Sequence, residues 1–166
     1  MSILILFTNT LTPTKVKLNL IKHKYFISEN SRITVLAPSS VWAEVRKIGG
    51  RNNYVLFDRH TQWTEGNVRF EAVKACHSDL SAIGVVLYDE AKTYYVTGDT
   101  LYNKEIFLDL PKNIDVVFLP INGVGNNMNM ADGKRFCVLR LNGAAEMDVL
   151  RYAVAVDFEK IGIDRG

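Results

Sequence analysis

The stretch VRFEAVKACHSDLSAIGVVLYDEAKTYYVTGDT, residues 68–100, decides the fold of this chain. Apolar, β-branched runs recur in it at short intervals and are separated by short polar turns, which is typical of antiparallel strands joined by hairpins. Two polar motifs, at residues 75–79 and 97–100, each follow a strand-like run. We therefore expect His77 and Asp99 to lie at one edge of a sheet.

The flanking segments alternate between helical and extended patterns. Strands are predicted at residues 3–7, 33–37, 54–57, 68–74, 83–88, 93–97 and 116–119, and helices from residue 14 and at 40–48, 103–110 and 130–139. Residues 64–67 read as a turn, and residues 120–129 as a long loop rich in glycine and asparagine. The predicted fold class is mixed α/β (α+β), with a central sheet and flanking helices.

The bulk composition excludes several classes of protein. A length of 166 residues predicts a single domain over 1–166, and a formal net charge of +2 without a basic run argues against nucleic acid. The apolar run at residues 3–7 is too short to cross a membrane. Cys76 and Cys137 lack the spacing of a metal site, and we expect them to be reduced thiols. A cytoplasmic protein with a small-molecule ligand is the expectation.

The chemistry-bearing residues are few. His77 offers an imidazole nitrogen and Asp99 a carboxylate oxygen, which together suit a divalent metal, although a loop histidine and a turn aspartate are the alternatives. Asp79 could orient the His77 ring, or could simply stabilise a turn. The asparagines of residues 126–129 offer amide groups at a strand end, either for a ligand or for bonds within the loop.

Four stretches in order carry a family resemblance: residues 75–77, 83–87, 95–100 and 115–123, together with the loop Asn-Asn-Met-Asn. They resemble the metallo-β-lactamase-fold hydrolases, and more narrowly the branch that contains L-ascorbate-6-phosphate lactonase. The resemblance covers about residues 33–136. It implies an αβ/βα sandwich with mixed sheets and metal-dependent hydrolysis of a small lactone or phosphorylated sugar-acid substrate, with zinc or manganese as cofactor.

The resemblance also implies residue roles. His77 is similar to a histidine that ligates the metal, and Asp99 to the aspartate that bridges two metals. The pocket mouth, which would contact the substrate, would be lined by asparagines, namely Asn122, Asn126, Asn127 and Asn129.

The chain departs from the family in two places. The family carries an HxHxDH motif before a Leu-Asp-Pro, but here the residues ahead of the similar Leu-Thr-Pro of positions 11–13 include Ile5, Phe7, Asn9 and Thr10 in the ligand places. No histidine follows Phe136, and the tail at residues 143–166 is unassigned. We therefore expect a truncated or degenerate hydrolase. The alternatives are a non-catalytic binding or assembly module, one half of a two-chain enzyme, or a homo-oligomer formed through an open sheet edge.

Overall fold

The computed structural model describes residues 3–5, 32–48, 51–121, 123 and 127–140. The strands, in chain order, are β1 (Ile3–Ile5), β2 (Thr34–Ala37), β3 (Asn53–Leu56), β4 (Gln62–Glu65), β5 (Val68–Lys74), β6 (Ile83–Tyr88), β7 (Thr93–Val96) and β8 (Val116–Phe118). The α-helices are α1 (Ser39–Val45) and α2 (Met130–Arg140), and two short 3-10 helices span Arg46–Ile48 and Lys104–Leu108.

The described strands form two sheets. The first has the order β1-β2-β3 with parallel pairing throughout. The second has the order β4-β5-β6-β7-β8, antiparallel up to β7, and β8 pairs parallel to β7. Strands β5, β7 and β8 consequently run in the same direction, so the loops that follow them leave the second sheet at one edge.

The two sheets pack face to face through an apolar layer. Leu36 and Phe57 of the first sheet pack against Phe70, Ala72 and Val85 of the second, and all five are buried. These second-sheet residues alternate with residues of the opposite face, as strand geometry requires. The register therefore decides which side chains meet the first sheet and which meet the helices.

Helical segments cover the outer faces of both sheets. Val41 and Val45 of α1 pack on Val35 of the first sheet. On the second sheet, Ile106 and Phe136 pack in one cluster with Tyr95. Each sheet thus has apolar neighbours on both faces over part of its area, and the layer order is the αβ/βα sandwich that the resemblance implies.

The structure corrects the predicted elements in detail. The stretch at residues 64–67 was expected to be a turn, but β4 extends through Glu65 and the turn itself is Gly66–Asn67. The missed strand has the exposed and half-buried alternation of an edge, which hides it from a search for apolar runs. The helix predicted at residues 103–110 is a 3-10 helix. The helix predicted from residue 14, residues 6–7 and the tail at 143–166 lie outside the described residues.

Close packing at Gly84 fixes the position of the Tyr95 ring. A Cβ atom at Gly84 would lie 2.8 Å from Cε2 and 2.9 Å from the hydroxyl oxygen of Tyr95. The Tyr95 side chain is fully buried, and its hydroxyl has no hydrogen-bond partner among the described residues. Burial raises the pKa of this phenol, which keeps it neutral. The position of the Tyr95 ring is therefore set by packing and not by a hydrogen bond of its hydroxyl.

We predict opposite outcomes for two substitutions at this contact. Gly84→Ala introduces a methyl group where the ring already lies, and overpacking should lower the free energy of unfolding by about 1–3 kcal/mol. Tyr95→Phe removes only a buried hydroxyl without a partner, so stability should be unchanged or higher. Urea unfolding followed by circular dichroism measures both. A Gly84→Ala protein as stable as the wild type would contradict the packing described.

Candidate functional site

Two hydrogen bonds bring the loops after β5 and β7 together. The Cys76 amide donates to Thr100 Oγ1 at 2.8 Å, and the Leu101 amide donates to the Cys76 carbonyl at 2.9 Å. Gly98 permits the turn between them with a φ of +62°, which favours glycine. His77 and Asp99 therefore lie near one another, and the charge of Asp99 acts on the His77 imidazole.

The His77 ring is fixed through its Nδ1 atom. The main-chain amide of Asp79 donates a hydrogen bond to Nδ1 at 2.9 Å. The half-buried position removes water from the ring, and this desolvation lowers the pKa of His77, although the charges of Asp99 and Asp79 oppose it. The neutral imidazole is consequently favoured at pH 7.

The Asp79 carboxylate connects the loop after β5 to the beginning of α1. Its Oδ2 accepts from the Ser40 hydroxyl at 2.7 Å, and its Oδ1 accepts from the Ser81 amide at 2.9 Å. The Ser39 and Ser81 hydroxyls are also bonded, at 2.9 Å. Asp79 thus orients His77 by its main-chain amide, while its carboxylate joins the two layers.

A cleft of about 530 Å³ opens beside His77. It lies between the loop after β5 and the residues that follow β2 and β3. Its polar and charged lining is formed by Ser39, Asp58, Arg59, Lys74, His77, Asp79, Ser81, Asn103 and Glu105. Lys74 forms an ion pair with Glu105 at the exposed side of the cleft. A volume of this size fits a sugar-sized molecule, since ligand pockets span roughly 300–1,000 Å³.

An ion pair supports the floor of the cleft. Arg59 donates to Asp109 twice, from Nε to Oδ2 and from Nη2 to Oδ1, both at 2.6 Å. The Lys74 amide donates to the same Oδ2 at 3.0 Å. The Asp109 side chain is only 5% exposed, so its charge depends on these three donors. Asp109 therefore joins the β3–β4 loop, β5 and the second 3-10 helix.

The structure describes two of the four asparagines that were predicted to contact the substrate, and their surroundings differ. Asn122 and Asn126 lie outside the described residues. Asn129 Oδ1 accepts from the Asp132 amide at 2.9 Å, which caps the N-terminus of α2. The Asn127 Oδ1 atom is buried and has no hydrogen-bond partner in the described part of the chain. Among the described residues, the cleft lining includes His77 but not Asp99, Asn127 or Asn129.

The residues that the structure describes do not build a metal centre. Within the described ranges, no group of three or more histidine, cysteine, aspartate or glutamate side chains converges on one point. A catalytic zinc needs three protein ligands, and the Nδ1 lone pair of His77 is already used by the Asp79 amide. The sequence holds only two further histidines, His23 and His60. His77 and Asp99 are neighbours, but they do not fit the metal site that the resemblance implies.

Solved structures share the arrangement of the sandwich. The metallo-β-lactamase fold protein YhfI from Bacillus subtilis superposes with a TM-score of 0.63 at 11% identity, covering 92% of this chain and 70% of that one. The fold is that of the metallo-β-lactamases. A protein described as a metal-dependent hydrolase from Parabacteroides distasonis gives a TM-score of 0.60 at 18% identity, covering 91% of this chain and 70% of that one.

The metallo-β-lactamase fold also supports other chemistry. CmlA, a diiron β-hydroxylase from Streptomyces venezuelae, superposes with a TM-score of 0.57 at 15% identity, covering 92% of this chain and 30% of the larger protein. No protein-family model matches the sequence, and no curated protein matches it. In the part that the structure describes, no helix has the length and apolar character to span a bilayer.

Sequence reasoning missed the cleft residues that come from the first sheet. Ser39 and Asp58 follow the ends of β2 and β3, and the Ser39 amide donates to Asp58 Oδ1 at 2.7 Å. A polar residue two positions after each parallel strand was the available signal, because the carboxyl ends of such strands meet at one edge. Lys74 and Asn103 gave no such signal, since only the fold brings them together.

We predict that the free energy of unfolding falls in acid because Asp109 becomes protonated. The hydrogen bonds from Arg59 lower the pKa of Asp109 below its ordinary value. Its contribution is complete above the unfolded carboxyl pKa of about 4 and is lost as pH falls through the lower, folded pKa. Asp109→Asn should cost about 2 kcal/mol at pH 7 and should flatten the acid limb of the stability curve.

The matched control is Glu90→Gln, an exposed carboxylate at the opposite end of the second sheet. Unfolding by urea at several pH values between neutral and acid measures both variants. If Asp109→Asn kept the wild-type acid dependence, the ion pair would not support the floor of the cleft.

Proposed function

We propose that this protein is a degenerate member of the metal-dependent hydrolases of the metallo-β-lactamase fold, and that it binds a small lactone or phosphorylated sugar acid in the cleft beside His77. Binding takes place without hydrolysis at a metal centre of its own. One observation carries the proposal: a ligand-sized cleft with polar side chains in its lining lies at the end of β5, while the described residues around it supply no metal site. A cytoplasmic location stays part of the proposal.

The lining suits a ligand with hydroxyl and anionic groups. The Asn103 amide and the serine hydroxyls offer hydrogen bonds to sugar oxygens. Lys74 supplies positive charge at the exposed side, where its ammonium group is paired with the Glu105 carboxylate. An anionic group of the ligand would take the place of Glu105 on Lys74, because an exposed ion pair is weak. Arg59 keeps both of its hydrogen bonds to the Asp109 carboxylate.

Calorimetry with two matched probes tests the proposal. L-Ascorbate 6-phosphate and L-ascorbate are titrated into the full chain in the presence of EDTA. Lys74→Met should weaken binding of the phosphorylated probe about 10-fold, which is the loss of one charge-assisted hydrogen bond. Lys92→Met is the control, because Lys92 is exposed in the β6–β7 turn, at the other end of the sheet. Its affinity should equal that of the wild type.

Two results would overturn this function. The first is that neither probe binds. The second is that the Lys74→Met and Lys92→Met variants lose affinity equally. Either result would contradict ligand binding in the cleft. Lactone hydrolysis that requires zinc or manganese and disappears in Asp99→Ala would instead establish a working hydrolase.

The inner face of the second sheet favours a second candidate, self-association that completes the sandwich. An apolar groove of about 220 Å³ is lined by Val68, Leu87, Asp89, Tyr94, Val96 and Phe118. Phe118 is 47% exposed and lies on β8, at the edge of the sheet that the described strands form. A second copy, or a partner chain that supplies further strands, would bury this face and cover the open edge.

Sedimentation velocity tests the second candidate. Phe118→Ser should shift a dimer to monomer, because it removes the most exposed apolar side chain of the groove. Leu108→Ser is the matched control, since Leu108 is 77% exposed but does not line the groove. A wild-type chain that stays monomeric at high concentration would contradict self-association.

A further inference from the structure

The hydrogen bond at His77 Nδ1 determines where the imidazole proton lies. A main-chain amide can only donate, so Nδ1, at 2.9 Å from the Asp79 nitrogen, must present its lone pair. A neutral imidazole carries one proton, which then sits on Nε2. Desolvation disfavours the doubly protonated ring, in which Nδ1–H would face the amide N–H. The structure therefore selects the Nε2–H tautomer.

The loop after β5 holds the Asp79 amide in this position. The Ala82 amide donates to the Asp79 carbonyl at 3.1 Å, and the Ser81 amide donates to the Asp79 carboxylate. The same carboxylate accepts from Ser40 of α1. These three hydrogen bonds hold Asp79 in place and so keep its amide directed at His77. The tautomer is thus built into the loop and does not depend on a ligand.

This tautomer is the opposite of what a metal-ligating histidine uses. Such a histidine presents a lone pair to the metal and donates its other N–H to an acceptor. If His77 Nε2 bound a metal, the neutral ring would carry its proton on Nδ1, directed at the N–H of Asp79. Metal binding through Nε2 would therefore require the hydrogen bond from the Asp79 amide to break.

We propose that His77 contacts the cleft ligand as an Nε2–H hydrogen-bond donor to an oxygen of the ligand, and that it is not a metal ligand. The inference rests on the cleft assigned under the proposed function and names the contact that His77 makes there. An acceptor oxygen of the lactone or carboxylate type is the matching chemistry, since a neutral N–H donor gains nothing from a ligand donor group.

Nitrogen NMR of the full chain tests the tautomer directly. Long-range ¹H–¹⁵N spectra of the histidine rings are recorded without any ligand, and the His77 signals are assigned by their loss in His77→Gln. We expect the Nε2–H tautomer, unchanged by excess Zn²⁺. An Nδ1–H tautomer, or His77 nitrogen shifts that move with Zn²⁺, would overturn the inference. Because no ligand is present, this result is independent of whether the lactone probes bind.

Two substitutions test the contact with the ligand. The side-chain amide of His77→Gln keeps an N–H donor near the position of Nε2, whereas His77→Ala removes it. With L-ascorbate as the probe, we expect His77→Ala to weaken binding about 10-fold and His77→Gln to stay within about 3-fold of the wild type. Equal losses in both variants would overturn the donor role. His60→Ala, at an exposed residue outside the cleft lining, should bind as the wild type does.

Discussion

The apolar contact between the inner faces of the two sheets determines where the remaining elements lie. Leu36 and Phe57 meet Phe70, Ala72 and Val85 in a buried layer, and burial of each of the larger side chains, alanine excepted, contributes roughly 1.5–3 kcal/mol. Because successive side chains alternate along a strand, this layer also fixes which residues face α2. The same register places the ends of β2, β3 and β5 around one cleft.

The contacts that hold the two loops of the site together differ in kind from those that a metal centre needs. The loops after β5 and β7 are held together by the Cys76 and Leu101 amides, which keeps His77 beside Asp99. That proximity depends on main-chain groups of Cys76 and Leu101 and on the Thr100 hydroxyl, and not on a histidine or carboxylate side chain. A metal centre depends on the side chains themselves, and no group of three or more such ligands converges among the described residues.

Much of the fold followed from pattern, but the site did not. Strands β5 and β6 were predicted to the residue because their apolar runs are bounded by polar turns. β4 was missed, since its exposed residues offer no apolar run. His77 and Asp99 could be placed at one edge from topology. The tautomer of His77 could not, because it depends on the direction of one amide in the loop, which residue types do not encode.

The central claim, which rests on the proposed function, is that this chain keeps the sandwich and binds no metal at His77 and Asp99. Thermal unfolding of the purified chain in EDTA and with added Zn²⁺ tests it most directly, because an ion that binds only the folded state raises the melting temperature. We expect the two melting temperatures to coincide, in the wild type and in Asp99→Ala alike. A rise that saturates with stoichiometric Zn²⁺ and vanishes in Asp99→Ala would contradict the account.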